Sequence, residues 1–88
     1  MSPIRLTLIG KPECHLCEDA RAVVDSVVES LEGTASVSVD ELSILEDAEL
    51  NAKYWDEIPV IVIDGRVHGI WRFDAERLRT ALVAAAAP

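Results

Sequence analysis

The stretch that most constrains the fold is Val60-Ile61-Val62-Ile63, four consecutive β-forming residues. Pro59 precedes them, and Asp64-Gly65, a strong signal for a two-residue hairpin turn, follows. A strand that is apolar on both faces is expected in the middle of a sheet that helices cover on each side. The sequence therefore predicts a central strand at 60–63, with its hairpin partner at 66–71.

The spacing of apolar residues and the turn signals predict the remaining elements. A strand is expected at 4–9, and a helix follows from residue 14 or 15 to residue 31 or 32, where Gly33 stops it. A strand at 34–40 and a helix at 47–54 come next, and Asp74 is predicted to cap a last helix, which ends in the alanine run before Pro88. The order βαβαββα predicts an α/β fold, a four-stranded mixed sheet flanked by three helices, whose first two strands are parallel with a right-handed crossover.

Length, charge and hydropathy limit the class of protein. Eighty-eight residues indicate one domain, 1–88. The chain has sixteen acidic residues and eight basic ones, and this negative charge disfavours nucleic acid as a partner. The acidic excess is interpreted mainly as a soluble, solvated surface, with binding to a basic partner protein as the alternative interpretation. The chain shows neither a membrane-length apolar run nor a secretory pattern, and it has too few cysteines for a disulfide scaffold. We expect a cytoplasmic monomer that does not associate with membranes.

Cys14 and Cys17, the two cysteines of the chain, lie where a strand pattern gives way to a helical one. Two intervening residues around a first helical turn bring the sulfurs within bonding reach, and this setting is typical of a redox dithiol. The helix N-terminus favours negative charge and lowers the pKa of the first thiol. The second thiol lies one turn further in. Cys14 is therefore the expected nucleophile and Cys17 the resolving thiol.

Charged neighbours are expected to shift the pKa of Cys14 in both directions. Lys11, and His15 when protonated, favour the thiolate, whereas nearby acidic residues oppose it: Glu13, Glu18 and Asp19. Two other interpretations of the pair stay open, namely two ordinary buried cysteines and a zinc site. Zinc prefers four ligands, and only His15 and His68 could add to the two thiols, so no metal is expected.

Three features together resemble the glutaredoxin-like branch of the thioredoxin superfamily: the segment Lys11-Pro12-Glu13-Cys14-His15-Leu16-Cys17, the Ile58-Pro59 pair and the Asp64-Gly65 hairpin. The resemblance implies a thioredoxin/glutaredoxin fold with Cys14 as nucleophile and Cys17 as resolving cysteine. It implies a cis Pro59 beside the dithiol, although the sequence alone favours an ordinary trans proline at the start of a strand. It also implies that the Ile58 backbone pairs with bound peptide or glutathione and that Lys11 holds a glutathione carboxylate.

The chain departs from the glutaredoxin pattern at three places. His15-Leu16 replace Pro-Tyr, Glu57-Ile58 replace threonine and valine, and Ile70-Trp71-Arg72-Phe73 follow Gly69 where a second glycine and an aspartate are usual. The aspartate contacts glutathione in the family, so its loss weakens the expectation of glutathione as the natural partner. His15 is retained with Lys11, Ile58 and Pro59 as a candidate substrate-binding residue.

The sequence thus predicts a thiol–disulfide oxidoreductase that reduces disulfide-containing or glutathionylated proteins and is regenerated by an external thiol reductant. No cofactor is required, and glutathione is a possible co-substrate. The alternatives are an iron–sulfur cluster carrier that uses Cys14 and glutathione at a dimer interface, and a non-catalytic interaction module. Trp55 is interpreted either as cover for the core or as a lining of the substrate groove, and His68 as solvent-facing.

Overall fold

The computed structural model describes residues 3–86. The predicted end of the last helix, at Ala87-Pro88, lies outside this range, and so do the outer limits of the predicted domain 1–88. The chain forms seven elements, with the bounds β1 (Ile4–Gly10), α1 (His15–Ser30), β2 (Val37–Ser43), α2 (Ala48–Tyr54), β3 (Val60–Ile63), β4 (Arg66–Ile70) and α3 (Ala75–Ala86). This order confirms the predicted α/β fold class.

The strands form one mixed sheet in the order β2-β1-β3-β4. β1 and β2 are parallel, with Ile4 opposite Val37, whereas β3 runs antiparallel to both of its neighbours. The apolar strand β3 therefore lies inside the sheet, as its composition predicts. The carboxyl ends of β1 and β4 meet the start of β3 at one edge of the sheet, where Ile9 pairs with Val60 and Val60 pairs with Ile70.

Helices cover the two faces of the sheet unequally. One core cluster joins residues of β1 and β3 to α1 and α3, among them Leu6, Ile61, Val24 and Leu82. The other cluster joins Ile9 and Val60 to Tyr54 of α2 and to Ile44. Ile9 interrupts the alternation of β1 because the carboxyl end of this strand is buried on both faces, whereas Arg5 near its start is exposed. The cysteine loop therefore leaves β1 from an end that is buried on both faces.

The β3–β4 hairpin has the turn that its sequence predicts. Asp64 and Gly65 both adopt positive φ, 48° and 84°, as the favoured two-residue hairpin turn requires. The pairing register shifts between Ile61 and Val62, which leaves His68 as the extra residue on β4. The His68 ring is half-buried and stacks on Phe73 with 6.3 Å between ring centroids, so the prediction that it faces solvent is wrong. Burial lowers the pKa of His68, and the charge of Arg77 adds to this shift.

The second strand begins three residues later than predicted. The carbonyl of Leu31 accepts hydrogen bonds from the N–H groups of Thr34 and Ala35, at 2.8 and 2.9 Å, so these residues belong to the turn that closes α1. β2 then pairs with β1 as far as Ser43, and Val39 is 43% exposed on this edge strand. Among residues 3–86, no helix has the length and apolar character needed to cross a membrane.

Candidate redox site

The cysteine pair lies between the carboxyl end of β1 and the first turn of α1. Cys14 is the N-cap of α1, with extended backbone angles (φ −122°, ψ 112°), and its carbonyl accepts the N–H of Glu18 at 3.0 Å. The Cys17 N–H donates to Cys14 Sγ at 3.2 Å, so the sulfur occupies the position of a capping oxygen. Glu13 before it adopts φ 58°, which turns the chain sharply into the helix.

Cys14 and Cys17 are joined in a disulfide, with their Cα atoms 5.1 Å apart. The two residues differ in access. Cys14 is partly exposed, whereas Cys17 is 3% exposed beneath the first helical turn. Cys14 is therefore the more accessible residue of the pair, and Cys17 is largely shielded from solvent.

Gly10, the last residue of β1, lies directly against the buried sulfur. A Cβ atom at Gly10 would be 2.8 Å from Cys17 Sγ, which is closer than such atoms pack, and 3.3 Å from Cys17 Cβ, which is a tight contact. Gly10 is a residue of the site that the sequence alone does not single out. The signal that could have found it is a glycine placed just after a predicted strand and before the two cysteines.

Pro59 lies at the same edge of the sheet as the dithiol loop. Ile9 pairs with Val60, so Pro59 is beside the end of β1 from which the cysteine loop leaves. The Pro59 side chain is fully buried, the Ile58–Pro59 peptide bond is cis, and the Pro59 carbonyl accepts the Trp71 N–H at 2.8 Å. Ile58 packs against the smaller core cluster. Within residues 3–86, its backbone N–H and carbonyl take no part in hydrogen bonding.

The two polar residues predicted to bind substrate are placed differently. Lys11 is exposed and lines a cavity of about 330 Å³ that reaches Cys17 and is bounded by Arg21 and Glu41. Arg21 Nε donates to Glu41 Oε1 at 2.6 Å, and this hydrogen bond raises the pKa of Arg21. His15 is fully exposed at the start of α1, with Nδ1 3.6 Å from a carboxylate oxygen of Glu18. Lys11 thus lines the same cavity as Cys17, whereas His15 lies on the outer surface.

Trp71 is a second residue near the site to which the sequence alone assigns no role. It adopts φ 69°, which is rare for a bulky side chain, in a γ-turn closed by the Arg72 N–H on the Ile70 carbonyl at 2.9 Å. Its indole Nε1–H donates to the Asp56 carbonyl at 3.1 Å, and the side chain is 52% exposed. With Leu16 and Arg72, it lines a second cavity of about 270 Å³ beside the start of α1.

Tyr54 at the end of α2 and Trp55 directly after it differ in their exposure to solvent. Tyr54 is buried in the smaller core cluster, whereas Trp55 is 65% exposed. Trp55 is therefore not cover for the core. Within the described residues, no group of three or more histidine, cysteine, aspartate and glutamate side chains could hold a metal ion.

Comparison with known proteins gives one family and a consistent fold. Residues 5–83 match the family model described as a glutaredoxin-like domain (DUF836). A protein of Mycobacterium tuberculosis is 29% identical over 80 residues, which cover 90% of this chain and 82% of that protein. The crystal structure of a structural-genomics target protein from X. campestris is 34% identical, with a TM-score of 0.67, and the match covers 94% of this chain and 99% of the other. Chloroplastic thioredoxin z, at 16% identity and a TM-score of 0.73, shares the fold over 94% of this chain and 80% of its own.

Proposed function

Since the chain belongs to the glutaredoxin-like (DUF836) domain family of the thioredoxin superfamily, we propose that it catalyses thiol–disulfide exchange through Cys14 and Cys17. The observation that carries this proposal is the unequal access of the two sulfurs. Cys14 is partly exposed at the N-cap of α1, and Cys17 is buried within bonding reach behind it. Exchange needs one thiol that meets the substrate and a second that meets only the first.

The first step is the attack of the Cys14 thiolate on a substrate disulfide. A new bond forms between Cys14 Sγ and one substrate sulfur, and the other substrate sulfur leaves as a thiolate that takes up a proton. The Cys17 N–H, 3.2 Å from Cys14 Sγ, and the unpaired N–H groups of the first turn of α1 stabilise the attacking thiolate.

The second step is the attack of Cys17 on the mixed disulfide. Cys17 loses its proton, its sulfur bonds to Cys14 Sγ, and the remaining substrate sulfur is released as a thiol. The substrate gains two electrons and two protons in all, and the protein is left with the Cys14–Cys17 disulfide. An external dithiol or two thiol molecules then reduce this bond, and we propose that this occurs in the cytoplasm, where such reductants are abundant.

We assign substrate binding to the edge of the sheet beside Pro59. The N-H and carbonyl of Ile58 are available to pair with an extended segment of the substrate, because no residue in the range 3–86 uses them. Lys11 stands at the other side of the buried sulfur and can attract a carboxylate of the substrate. The same edge would receive either a protein segment or glutathione.

Replacement of the second cysteine tests the proposal. Cys17→Ser keeps the nucleophile and removes the resolving step, so we expect a mixed disulfide to accumulate on Cys14 in cells, detectable by mass spectrometry without reducing agent. Cys14→Ser is the matched control and should trap nothing. Trapped proteins would indicate reduction of protein disulfides, and trapped glutathione would indicate deglutathionylation. If Cys17→Ser carries no adduct, the exchange proposal fails.

A further inference from the structure

Trp71 binds both ends of the short segment 56–59, which carries Ile58. Its backbone N–H donates to the Pro59 carbonyl at 2.8 Å, and its indole Nε1–H donates to the Asp56 carbonyl at 3.1 Å. Ile58 lies between these two acceptors in the chain. One residue therefore holds the segment on either side of Ile58.

The backbone of this segment has one other hydrogen bond within residues 3–86, which the Glu57 N–H donates to the Tyr54 carbonyl at 2.8 Å. In the same range, the N–H and the carbonyl of Ile58 have no hydrogen-bond partner. The Ile58 side chain packs against the smaller core cluster, and Pro59 after it is fully buried. The direction of the free Ile58 backbone groups is therefore set by the way in which the neighbouring residues are held.

The backbone of Trp71 has a conformation that needs a cause. A φ of 69° is rare for a bulky residue, and the γ-turn around it is a strained type of turn. Strain of this kind persists only where surrounding contacts hold it, and it is concentrated at functional sites. Full burial of the ring does not account for it, because the side chain is 52% exposed. A glycine would adopt this φ without strain, so the tryptophan contributes its ring and its indole N–H.

Trp71 also lies close to the dithiol. Its side chain lines the cavity of about 270 Å³ together with Leu16, one of the two residues between the cysteines. Its backbone N–H binds Pro59, which lies beside the end of β1 from which the cysteine loop leaves. Trp71 thus lies at the edge of the sheet that carries both the dithiol and Ile58.

Resting on the exchange reaction and the Ile58 pairing proposed above, we propose that Trp71 is a positioning residue for an extended polypeptide substrate. It takes no part in the transfer of sulfur. Its indole N–H holds the Asp56 carbonyl, and the N–H and carbonyl of Ile58 are thereby kept in the direction in which a substrate backbone pairs with them. A disulfide inside an extended chain gains from this arrangement, whereas a disulfide without a peptide backbone gains nothing.

The benefit of the indole bond is preorganisation. Where a binding segment is not held, it must be ordered when the substrate binds, and this cost is subtracted from the affinity. One hydrogen bond of ordinary strength changes an equilibrium by about 2- to 12-fold. Loss of the indole bond should therefore weaken the pairing of Ile58 with the substrate by a factor in this range.

Peptides with one N-methylated amide test the proposal. Each carries the same cysteine in a mixed disulfide with a dye thiol, and methylation removes one backbone N–H at one of the two positions on either side of that cysteine. With excess dithiol, each turnover yields the peptide thiol, the dye thiol and the cyclic disulfide of the dithiol. The rate with Cys14→Ser is subtracted as background. For the wild type we expect one position at which methylation lowers kcat/KM about fivefold, mainly through a higher KM.

Two substitutions remove the indole N–H in different ways. Trp71→Phe keeps a bulky ring, whereas Trp71→Gly removes the ring and relieves the strain at φ 69°. In each variant we expect the fivefold ratio between the unmodified and the methylated peptide to fall below about twofold, because Ile58 is no longer held for pairing. A general loss of stability would lower both rates alike and would not change their ratio.

Trp55→Phe is the matched control, because it makes the same chemical change directly before Asp56. Trp55 is 65% exposed, and within residues 3–86 its indole donates no hydrogen bond, whereas that of Trp71 does. The ratio between the two peptides should stay about fivefold in this variant.

The outcomes distinguish the positioning role from the exchange reaction. A ratio that stays about fivefold in Trp71→Phe or in Trp71→Gly would overturn the role of the indole, and so would an equal loss of the ratio in Trp55→Phe. If methylation has no effect at any position in the wild type, Ile58 does not pair with the substrate and the positioning role is wrong, but the exchange proposal stands as long as dye release depends on Cys14. If dye release does not depend on Cys14, the proposed function fails and the inference fails with it.

Discussion

Gly10 supports the buried sulfur of Cys17, and Gly10→Ala is the substitution that probes the site most directly. The added Cβ atom would lie 2.8 Å from Cys17 Sγ and 3.3 Å from Cys17 Cβ. Both residues are buried, so the contact must be relieved by movement inside the core rather than into solvent. In the disulfide form the Cys17 sulfur is tied to Cys14 and has little freedom to move. In the dithiol form it can rotate away.

Overpacking of a buried position costs about 1–3 kcal/mol. Because the reduced form relaxes more easily, we expect about 1.4 kcal/mol of this cost to fall on the oxidised form alone. For a two-electron couple, that amount corresponds to about 30 mV. Destabilisation of the disulfide makes its reduction more favourable, so the reduction potential of Gly10→Ala should be about 30 mV less negative than that of the wild type.

Two measurements check this value independently. The potential is obtained by equilibration with a dithiol buffer and mass-spectrometric counting of free thiols, and the free energies of unfolding of the oxidised and reduced forms are obtained by denaturant titration. Gly33→Ala is the matched control, because Gly33 has φ 82° and open space around its Cβ position. It should destabilise both forms equally by about 1 kcal/mol and leave the potential unchanged. An unshifted potential in Gly10→Ala would refute the proposed support of the sulfur.

Two further predictions concern stability away from the sulfurs. Burial lowers the pKa of His68 in the folded protein, so the unfolded chain binds more protons just below the ordinary value of 6.5. The free energy of unfolding should be highest above that value and decline as the pH falls below it. His68→Gln should flatten this slope in denaturant titrations at several pH values, and an unchanged slope would contradict the prediction. Asp74 Oδ1 accepts the Arg77 N–H at 3.1 Å as the cap of α3. Asp74→Ala should cost about 1 kcal/mol and lower Tm by about 4–8 °C in a thermal melt, and an unchanged Tm would contradict the capping role.

The parts of the fold that short-range chemistry determines are those that the sequence predicts well. An apolar run between Pro59 and Asp64-Gly65 can be buried only in the middle of a sheet, and it is β3. A two-residue Asp-Gly turn requires positive φ at both positions, and both have it. Cys14 is found at the helix start because the apolar period of α1 begins just after it. Each of these inferences depends on residues that are close in the sequence.

The bounds of β2 show where such reasoning stops. Its alternating residues Ala35, Val37 and Val39 indicate a strand, but Ala35 is still bonded to the carbonyl of Leu31. At the other end, β2 continues through Asp40 and Glu41 as far as Ser43, since its backbone follows the full length of β1. An edge strand needs backbone partners on one side only, and its outward side chains are free to be polar. Side-chain pattern therefore does not determine where such a strand ends.

The surroundings of the dithiol depend on contacts between distant segments, and for this reason two of their residues were missed. No local rule places a tryptophan at φ 69°, since the positive φ of Trp71 is sustained by bonds to Pro59 and Asp56, which lie 12 and 15 positions earlier. Gly10 is required by a sulfur seven positions later, after the chain has turned through the cysteine loop. The spacing of Cys14 and Cys17 is enough to predict the pair at the start of a helix, whereas the residues packed around the pair are determined by these long-range contacts.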